Sequence, residues 1–241
     1  MPHYRDDAIV LRTYKLGEAD RILVLYTRTR GKVRAVAKGV RRTKSKFGAR
    51  LDPASLVHLQ LYEGRNLDTV SQAETIEVRD ALRSDVGKWG RVAIVLEIVD
   101  NVAVEGEPNP ALFKLLSGAL SELERSGNPL VLPAFVARLL ALEGVQPRLD
   151  QCVSCGATDE LVAIDLHLGG VLCVNCRRGD LLSDAARTAL RHVSDGRVRH
   201  VLDTTSPDVA AELEILAGKL IEQHIERRLK TVGVLHQQLH S

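Results

Sequence analysis

The chain has 241 residues, of which 45% are hydrophobic, 27% charged and 3% aromatic, and its formal net charge is +2 at pH 7. These values are ordinary for a globular protein and allow one large domain or two to three small ones. No run of eighteen apolar residues occurs, which argues against a membrane-spanning helix. Because the first residues also lack the pattern of a secretory signal, we expect a cytoplasmic protein without a membrane partner.

The charge is divided unevenly along the chain. Residues 1–80 contain sixteen Lys and Arg against ten Asp and Glu, whereas the remainder contains seventeen against twenty-one. The first part is therefore basic, with a balance of +6, and the rest is acidic, with a balance of −4. A partner meets one face of a protein rather than its mean charge, so this asymmetry indicates an anionic partner for the first part.

Five short strands are predicted in the basic part, because β-branched and alternating apolar residues are separated by turn residues. The predicted strands span residues 8–14, 21–27, 33–38, 56–62 and 67–76. In the third strand Val33, Ala35 and Ala37 share one face, while Arg34 and Lys38 lie on the other. Five strands suit a small barrel or a sandwich, and periodicity by itself does not choose between an OB-fold and other barrels.

Between the third and fourth strands, residues 39–50 have glycines near both ends and no regular apolar period, which predicts a mobile basic loop. After residue 80 the apolar residues recur at helical spacing. Asn109-Pro110, Asn128-Pro129, Ser183-Asp184 and Ser206-Pro207 are typical helix starts, because a capping side chain precedes the first turn. We therefore predict a barrel domain over residues 1–79 and a helical domain over 80–241.

All four cysteines lie within residues 152–176, as two C-x₂-C pairs separated by seventeen residues. Each pair directs two thiolates toward one point, and two pairs complete the tetrahedron of soft ligands that Zn²⁺ prefers. Residues 161–164 and 170–172 predict a β-hairpin between the pairs, which is typical of a zinc ribbon inserted at about 148–180. Four thiolates leave no open position for water, so we expect one structural zinc ion. The predicted ligands are Cys152, Cys155, Cys173 and Cys176.

Residues 28–50 hold ten Lys and Arg and no acid. A solvated charged face is the ordinary explanation of such a run. We favour nucleic acid here because the run is uninterrupted, covers both a strand and a loop, and contrasts with an acidic remainder. The predicted DNA-contacting residues are Arg28, Arg30, Lys32, Arg34, Lys38, Arg41, Arg42, Lys44, Lys46, Phe47 and Arg50.

Three aromatic residues in this region are candidates for stacking on bases, namely Tyr14, Tyr26 and Phe47. The two tyrosines are equally well explained as barrel residues, so Phe47 in the basic loop is the better candidate. No phosphate-binding Gly-x₄-Gly-Lys loop, no nucleophile elbow and no His-Glu-x-x-His helix occurs. We therefore expect a protein that is not an enzyme.

Several of these segments resemble the bacterial RecO family of recombination mediators. The resemblance lies in Gly17–Leu23, Gly31–Arg42, Ser45–Gly48 and Leu51–Pro53, and in a ribbon that follows three helices. It covers nearly the whole chain, and the order of the elements is more specific than any single motif. It implies an α+β chain, with a five-stranded OB-fold barrel followed by an α-helical domain that carries the four-cysteine zinc ribbon.

The resemblance also implies a function. RecO proteins bind single- and double-stranded DNA, anneal complementary strands, and with RecR load RecA onto strands coated by single-strand-binding protein. They contact the acidic, apolar tail of that coating protein through the helical domain, and a nucleoid-associated location follows. Two alternatives stay open: an OB-fold and zinc-ribbon protein that binds RNA in another pathway, and a hydrolase with an unrecognised site.

Overall fold

The structure, a computed structural model, describes residues 2–43, 45, 47–226, 229 and 231. It divides into two compact units, each of which is described by itself. The first unit runs to Arg125 and takes in Leu229 and Thr231, and the second unit is Ser126–Arg228. None of the helices among the described residues has the length and apolar composition of a membrane span.

The first unit begins with a closed five-stranded barrel, which confirms the predicted fold class. Its strands are β1 (His3–Leu16), β2 (Asp20–Thr27), β3 (Gly31–Ala37), β4 (Leu56–Tyr62) and β5 (Asp68–Glu77). The strand order around the barrel is β1-β2-β3-β5-β4, and β1 pairs with β4 to close it. Only the pairing of β3 with β5 is parallel, which is the arrangement of an OB-fold.

The barrel is filled mainly by small and branched side chains, as the low aromatic content requires. Ala8, Leu23, Ala35 and Leu59 are fully buried in it. The alternation along β3 is as predicted, since Ala35 and Ala37 are buried while Arg34 and Lys38 are exposed. The loop between β3 and β4 contributes to the same core through Val40, Phe47 and Leu51, the last of these in a 3-10 turn over Gly48–Leu51.

Three helices follow the barrel in the first unit: α1 (Asp80–Arg83), α2 (Val86–Val102) and α3 (Pro110–Ser126). The predicted start of α3 is confirmed, because Asn109 Oδ1 accepts a hydrogen bond from the Leu112 amide at 3.0 Å. Helix α2 packs on β1 and β2 with Val92, Val95 and Val99 fully buried. The described C-terminal residues return to this helix, where Thr231 donates from its amide and its hydroxyl to the buried Glu97 carboxylate.

The second unit combines helices with a small sheet. Its elements are α4 (Val131–Leu142), β6 (Leu161–Asp165), β7 (Gly170–Cys173), β8 (Asp180–Leu181), α5 (Asp184–Ser194), α6 (Val198–Thr204) and α7 (Pro207–His224). The predicted hairpin is present as β6 and β7, and β8 adds a third strand in the order β7-β6-β8. The sheet shares one hydrophobic core with α4, α5 and α7, in which Ile164, Val171, Leu172 and Ala186 are completely buried.

Candidate nucleic-acid surface and metal centre

The four cysteine thiols converge on one point in the second unit. All four Sγ atoms lie within 4.8 Å of one another, and Cys155 Sγ is 3.7 Å from Cys173 Sγ across the two pairs. This separation is what tetrahedral coordination by ligands at about 2.3 Å from a central Zn²⁺ requires. The cysteines therefore lie close enough to share one metal ion, and they are all supplied by the ribbon.

Backbone hydrogen bonds hold the two cysteine pairs in register with the sheet. The Val153 amide donates to the Val171 carbonyl at 2.9 Å, and the Cys152 amide donates to the Ala157 carbonyl at 2.7 Å. Gly170 allows the close approach, since a Cβ there would lie 2.4 Å from Val153 Cγ1. These backbone contacts hold the first cysteine pair against the hairpin that carries Cys173.

Local hydrogen bonds shift the pKa values of two neighbouring thiols in opposite directions. Burial opposes ionisation of Cys152, but amide donors from Cys173, Ser154 and Cys155 outweigh it and lower its pKa to about 6. The Ala157 amide lowers the pKa of Cys155, but hydrogen bonds with the other thiols outweigh this donor and raise that pKa to about 12. A divalent cation removes this conflict, because it stabilises every thiolate that it binds.

The predicted DNA-contacting residues are divided between the two ends of the barrel rather than gathered in one patch. Arg28 and Arg30 lie in the turn between β2 and β3, whereas Lys38, Arg41 and Arg42 follow the far end of β3. Strand β2 has eight residues, which at about 3.3 Å per residue separates its ends by roughly 25 Å. Lys44 and Lys46 lie outside the described residues.

The cations near the β2–β3 turn already have partners in the first unit. Arg28 Nη2 lies 3.2 Å from Asp7, and the Arg30 guanidinium lies 3.8 Å from Glu63 and 3.8 Å above the centre of the Tyr4 ring. At the start of β3, Lys32 Nζ donates to the Asp100 carbonyl at 2.7 Å, and only 15% of its side chain is exposed.

The cations farther along β3 and after it are more open. Arg34, Lys38, Arg41 and Arg42 are exposed and form no ion pair within the part of the chain that the structure describes. Arg41 donates to the Gly17 carbonyl at 3.2 Å, which positions it against the β1–β2 turn without neutralising it. Arg50, the last predicted contact, is exposed within the 3-10 turn.

The structure reverses the predicted choice among the aromatic residues. Phe47 is 1% exposed in the barrel core, so it is not available to stack on a base, and that prediction was wrong. Tyr26 is also buried, with its ring stacked 6.2 Å from that of Phe113, and burial raises its pKa to about 12. Tyr14 is 44% exposed on the outer face of β1 and is the aromatic residue of the three that a base can reach.

Tyr14 belongs to a cavity of about 270 Å³ on the outer face of β1, β2 and β3, closed on one side by the end of α2 and the segment after it. Arg12 donates to Tyr14 Oη at 3.0 Å, and its guanidinium carbon lies 5.9 Å from the ring centre. The cavity therefore combines an aromatic ring, cations and acids on one sheet. Its lining residues are Tyr14, Ile22, Val24, Lys32, Arg34, Asp100 and Glu105.

Comparison with known proteins matches the chain from end to end. The family model "Recombination protein O N terminal" matches residues 1–79, and "Recombination protein O C terminal" matches residues 83–232. Proteins named "DNA repair protein RecO" are similar throughout. The one from Cutibacterium acnes is 40% identical over 260 residues, and the one from Nocardioides sp. is 41% identical over 242, each alignment covering at least 97% of both chains. A third, from Bifidobacterium longum, is 40% identical over 98% of this chain.

The chain belongs to the RecO family. This confirms the resemblance found in the sequence, and both the barrel and the helical part match the same family. The two family models meet between residues 79 and 83, just after the last barrel strand ends at Glu77.

Sequence reasoning did not identify two cavity residues of this RecO-family barrel. Asp100 and Glu105 were not predicted to lie near the basic strand, because they come from a helix and a loop remote in sequence. Arg12, which contacts Tyr14 and Asp100, was not predicted either. The segment between α2 and α3 is held at the start of β3 by a backbone hydrogen bond, which the Gly106 amide donates to the Lys32 carbonyl at 3.2 Å. Hydrophobic periodicity in the sequence does not predict a backbone contact between segments so far apart.

Proposed function

We propose that this chain is a recombinational DNA repair mediator that binds single- and double-stranded DNA and anneals complementary strands. The observation that carries the proposal is the outer face of the OB-fold barrel, where exposed Tyr14 lies beside Arg34. The relatives are named DNA repair proteins, which supports the pathway. We divide the work between a barrel domain, residues 1–79, and a helical domain, residues 80–241.

The physical basis of binding is phosphate contact combined with stacking. Arg34, Lys38, Arg41 and Arg42 hold phosphates and release their counterions, which gives affinity with little sequence preference. Lys44 and Lys46 extend the same basic segment in sequence. Stacking of a base on Tyr14 adds about 1–3 kcal/mol and favours single strands, whose bases are free to turn outward.

Annealing follows from the same surface. Two strands repel each other through their phosphates, and cations that contact both strands reduce this repulsion. The step needs no nucleotide hydrolysis, and we propose that the chain acts without enzymatic chemistry. Arg28, Arg30, Lys32 and Arg50 serve as secondary contacts, since the first three must share their charge with carboxylates of the barrel unit.

We also propose one structural zinc ion on Cys152, Cys155, Cys173 and Cys176. The fit is supported by the spacing of the thiols and by the hairpin that presents them. Four thiolates close the coordination sphere, so the ion stabilises the ribbon and supplies no catalytic water. Its binding energy contributes to the folding of the second unit.

The remaining partners are assigned to the helical domain. We propose that it recruits RecR and the acidic, apolar tail of single-strand-binding protein, and that RecA is loaded as a consequence. This activity belongs in the cytoplasm, at the nucleoid, because its substrate is chromosomal DNA.

The test is annealing of complementary labelled strands that have been coated with single-strand-binding protein, measured without ATP across a salt series. We expect acceleration that declines as salt rises, and we expect Tyr14→Ala and Arg34→Ala to reduce it. Tyr62→Ala is the matched control, because Tyr62 is 42% exposed elsewhere on the barrel. Coated strands left unpaired at low salt, together with tighter binding of folded RNA, would instead favour the RNA-binding alternative.

A further inference from the structure

The cavity around Tyr14 is small enough to select for a single group. Its volume of about 270 Å³ lies just below the roughly 300 Å³ at which sites for drug-sized ligands begin. One wall is the exposed Tyr14 ring and another is the apolar Ile22 side chain, which is half-buried beside it. A flat, partly apolar ligand such as one nucleobase matches these walls.

The two carboxylates of the cavity differ in whether a cation lies close to them. Asp100 is neutralised, because Arg12 Nη2 lies 3.3 Å from Oδ2 and Lys32 Nζ lies 3.9 Å from Oδ1. Glu105 is exposed and has no ion pair within the described ranges of the chain. Its position is nonetheless well defined, because its backbone forms β-bridges with Gly31 and Lys32 at the start of β3.

A free carboxylate beside Arg34 is unexpected in a surface that only binds phosphates. Phosphate and carboxylate repel each other, so Glu105 lowers the affinity of the cavity for the strand unless it makes a favourable contact. Within a nucleic-acid site, a carboxylate gains such a contact by accepting a hydrogen bond from an exocyclic amino group, as Glu and Asp do with cytosine N4. Thymine and uracil present a carbonyl oxygen at this position and repel it.

We propose that the cavity takes one nucleobase and that Glu105 makes it prefer cytosine over thymine or uracil. The base stacks on Tyr14, Arg34 contacts the adjoining phosphate, and Glu105 accepts from the amino group. This inference rests on the proposed function and deepens it, since it gives base selectivity to a surface otherwise expected to bind any sequence.

The test compares deoxycytidine and deoxyuridine tracts of equal length, which lack the methyl group of thymine and differ at the groups that Glu105 reads. Binding of labelled tracts is measured by fluorescence anisotropy at neutral pH. We expect the wild-type chain to bind deoxycytidine roughly tenfold more tightly, the lower limit for one hydrogen bond to a charged acceptor. Glu105→Ala should make the two affinities equal. Glu107→Ala, an equal change of charge two residues away, should preserve the difference.

The outcomes separate this inference from the proposed function. Equal wild-type affinity for the two tracts, with binding still weakened by Tyr14→Ala, overturns the base preference and leaves DNA binding in place. A Glu105→Ala variant that binds both tracts more tightly and keeps their ratio also overturns it, because Glu105 is then only repulsive. If Tyr14→Ala and Arg34→Ala leave the affinity for both tracts unchanged, this face does not bind DNA and both proposals fail.

Discussion

Neutralising the four open cations tests how the barrel holds DNA. Arg34, Lys38, Arg41 and Arg42 are exposed and without ion pairs in the described structure, so each is expected to contact about one phosphate. For single strands the logarithm of the affinity falls with the logarithm of salt concentration by about 0.7 for each phosphate neutralised. Replacing all four by Gln should therefore reduce the slope by about 3, as measured by fluorescence anisotropy of a labelled single strand from low to physiological salt.

The matched control is Arg28→Gln with Arg30→Gln at the opposite end of β2. These cations are paired with Asp7 and Glu63, so DNA must displace a carboxylate before it gains a phosphate. We expect this double variant to change the salt slope less than replacement of any two of the four open cations does. An unchanged slope in the fourfold variant, or an equal effect per residue in the control, would refute the reasoning that ion pairing selects the contacts.

Three further predictions concern stability and metal binding. Phe47→Ala should lower the free energy of unfolding in urea by about 3–5 kcal/mol, because the ring is 1% exposed in the barrel core. Gly170→Ala should destabilise the second unit by at least about 1–3 kcal/mol by thermal unfolding, since a Cβ would lie 2.8 Å from the Arg148 carbonyl oxygen. Removal of zinc by a chelator, or Cys173→Ser, should make the ribbon sensitive to protease while the barrel stays protected.

Each of these predictions has a result that contradicts it. Loss of DNA affinity in Phe47→Leu, under conditions where the variant remains folded, would restore the stacking role that burial excludes. Gly118→Ala, at a helical glycine with open space around its Cβ position, is the control for Gly170→Ala and should be close to neutral or stabilising. A purified chain without zinc whose ribbon is equally resistant to protease would show that the thiols need no metal.

Local rules predicted most elements because the deciding interactions are local. Helices α3 and α5 are capped by Asn109 and Ser183, whose side chains accept a hydrogen bond from the backbone amide three residues later. Such caps can be identified in the sequence. Helix α6 and strand β8 were not predicted. They have seven and two residues, too few for an apolar period to develop. Helix α6 buries Val201 in the core of the second unit, and β8 forms by pairing with β6.

The reversal of the aromatic residues has a specific structural cause. A register shift between Val10 and Arg12 interrupts the alternation of β1, so the inward and outward sides after it cannot be deduced from the residues before it. Tyr14 lies after this irregularity and points outward. Tyr26 lies on a strand covered on both faces, because α3 presents Phe113 to it from 87 residues farther along the chain.

The ten cations of the basic run are alike in sequence, and among those that the structure describes, remote acids pair with some and not with others. Asp7 lies within β1, Glu63 follows β4 and Asp100 belongs to α2, and together they engage the cations nearest the β2–β3 turn. A charge count over a window therefore predicted the anionic partner but not which cations are open to it. Pairing across the barrel, rather than charge density, distinguishes Arg34, Lys38, Arg41 and Arg42 from the cations of the turn.

The general affinity and the base preference reside in different groups, and this makes them separable. Charge on Lys38, Arg41 and Arg42 governs counterion release and hence the salt slope, because it acts on phosphates of any sequence. Glu105 contacts the base and no phosphate. Its removal should therefore equalise the affinities for cytosine and uracil tracts and leave the salt slope unchanged. A variant of the three cations should accordingly keep the cytosine preference at reduced affinity. If both kinds of substitution changed slope and preference together, one shared conformational change of the barrel face would be the better explanation.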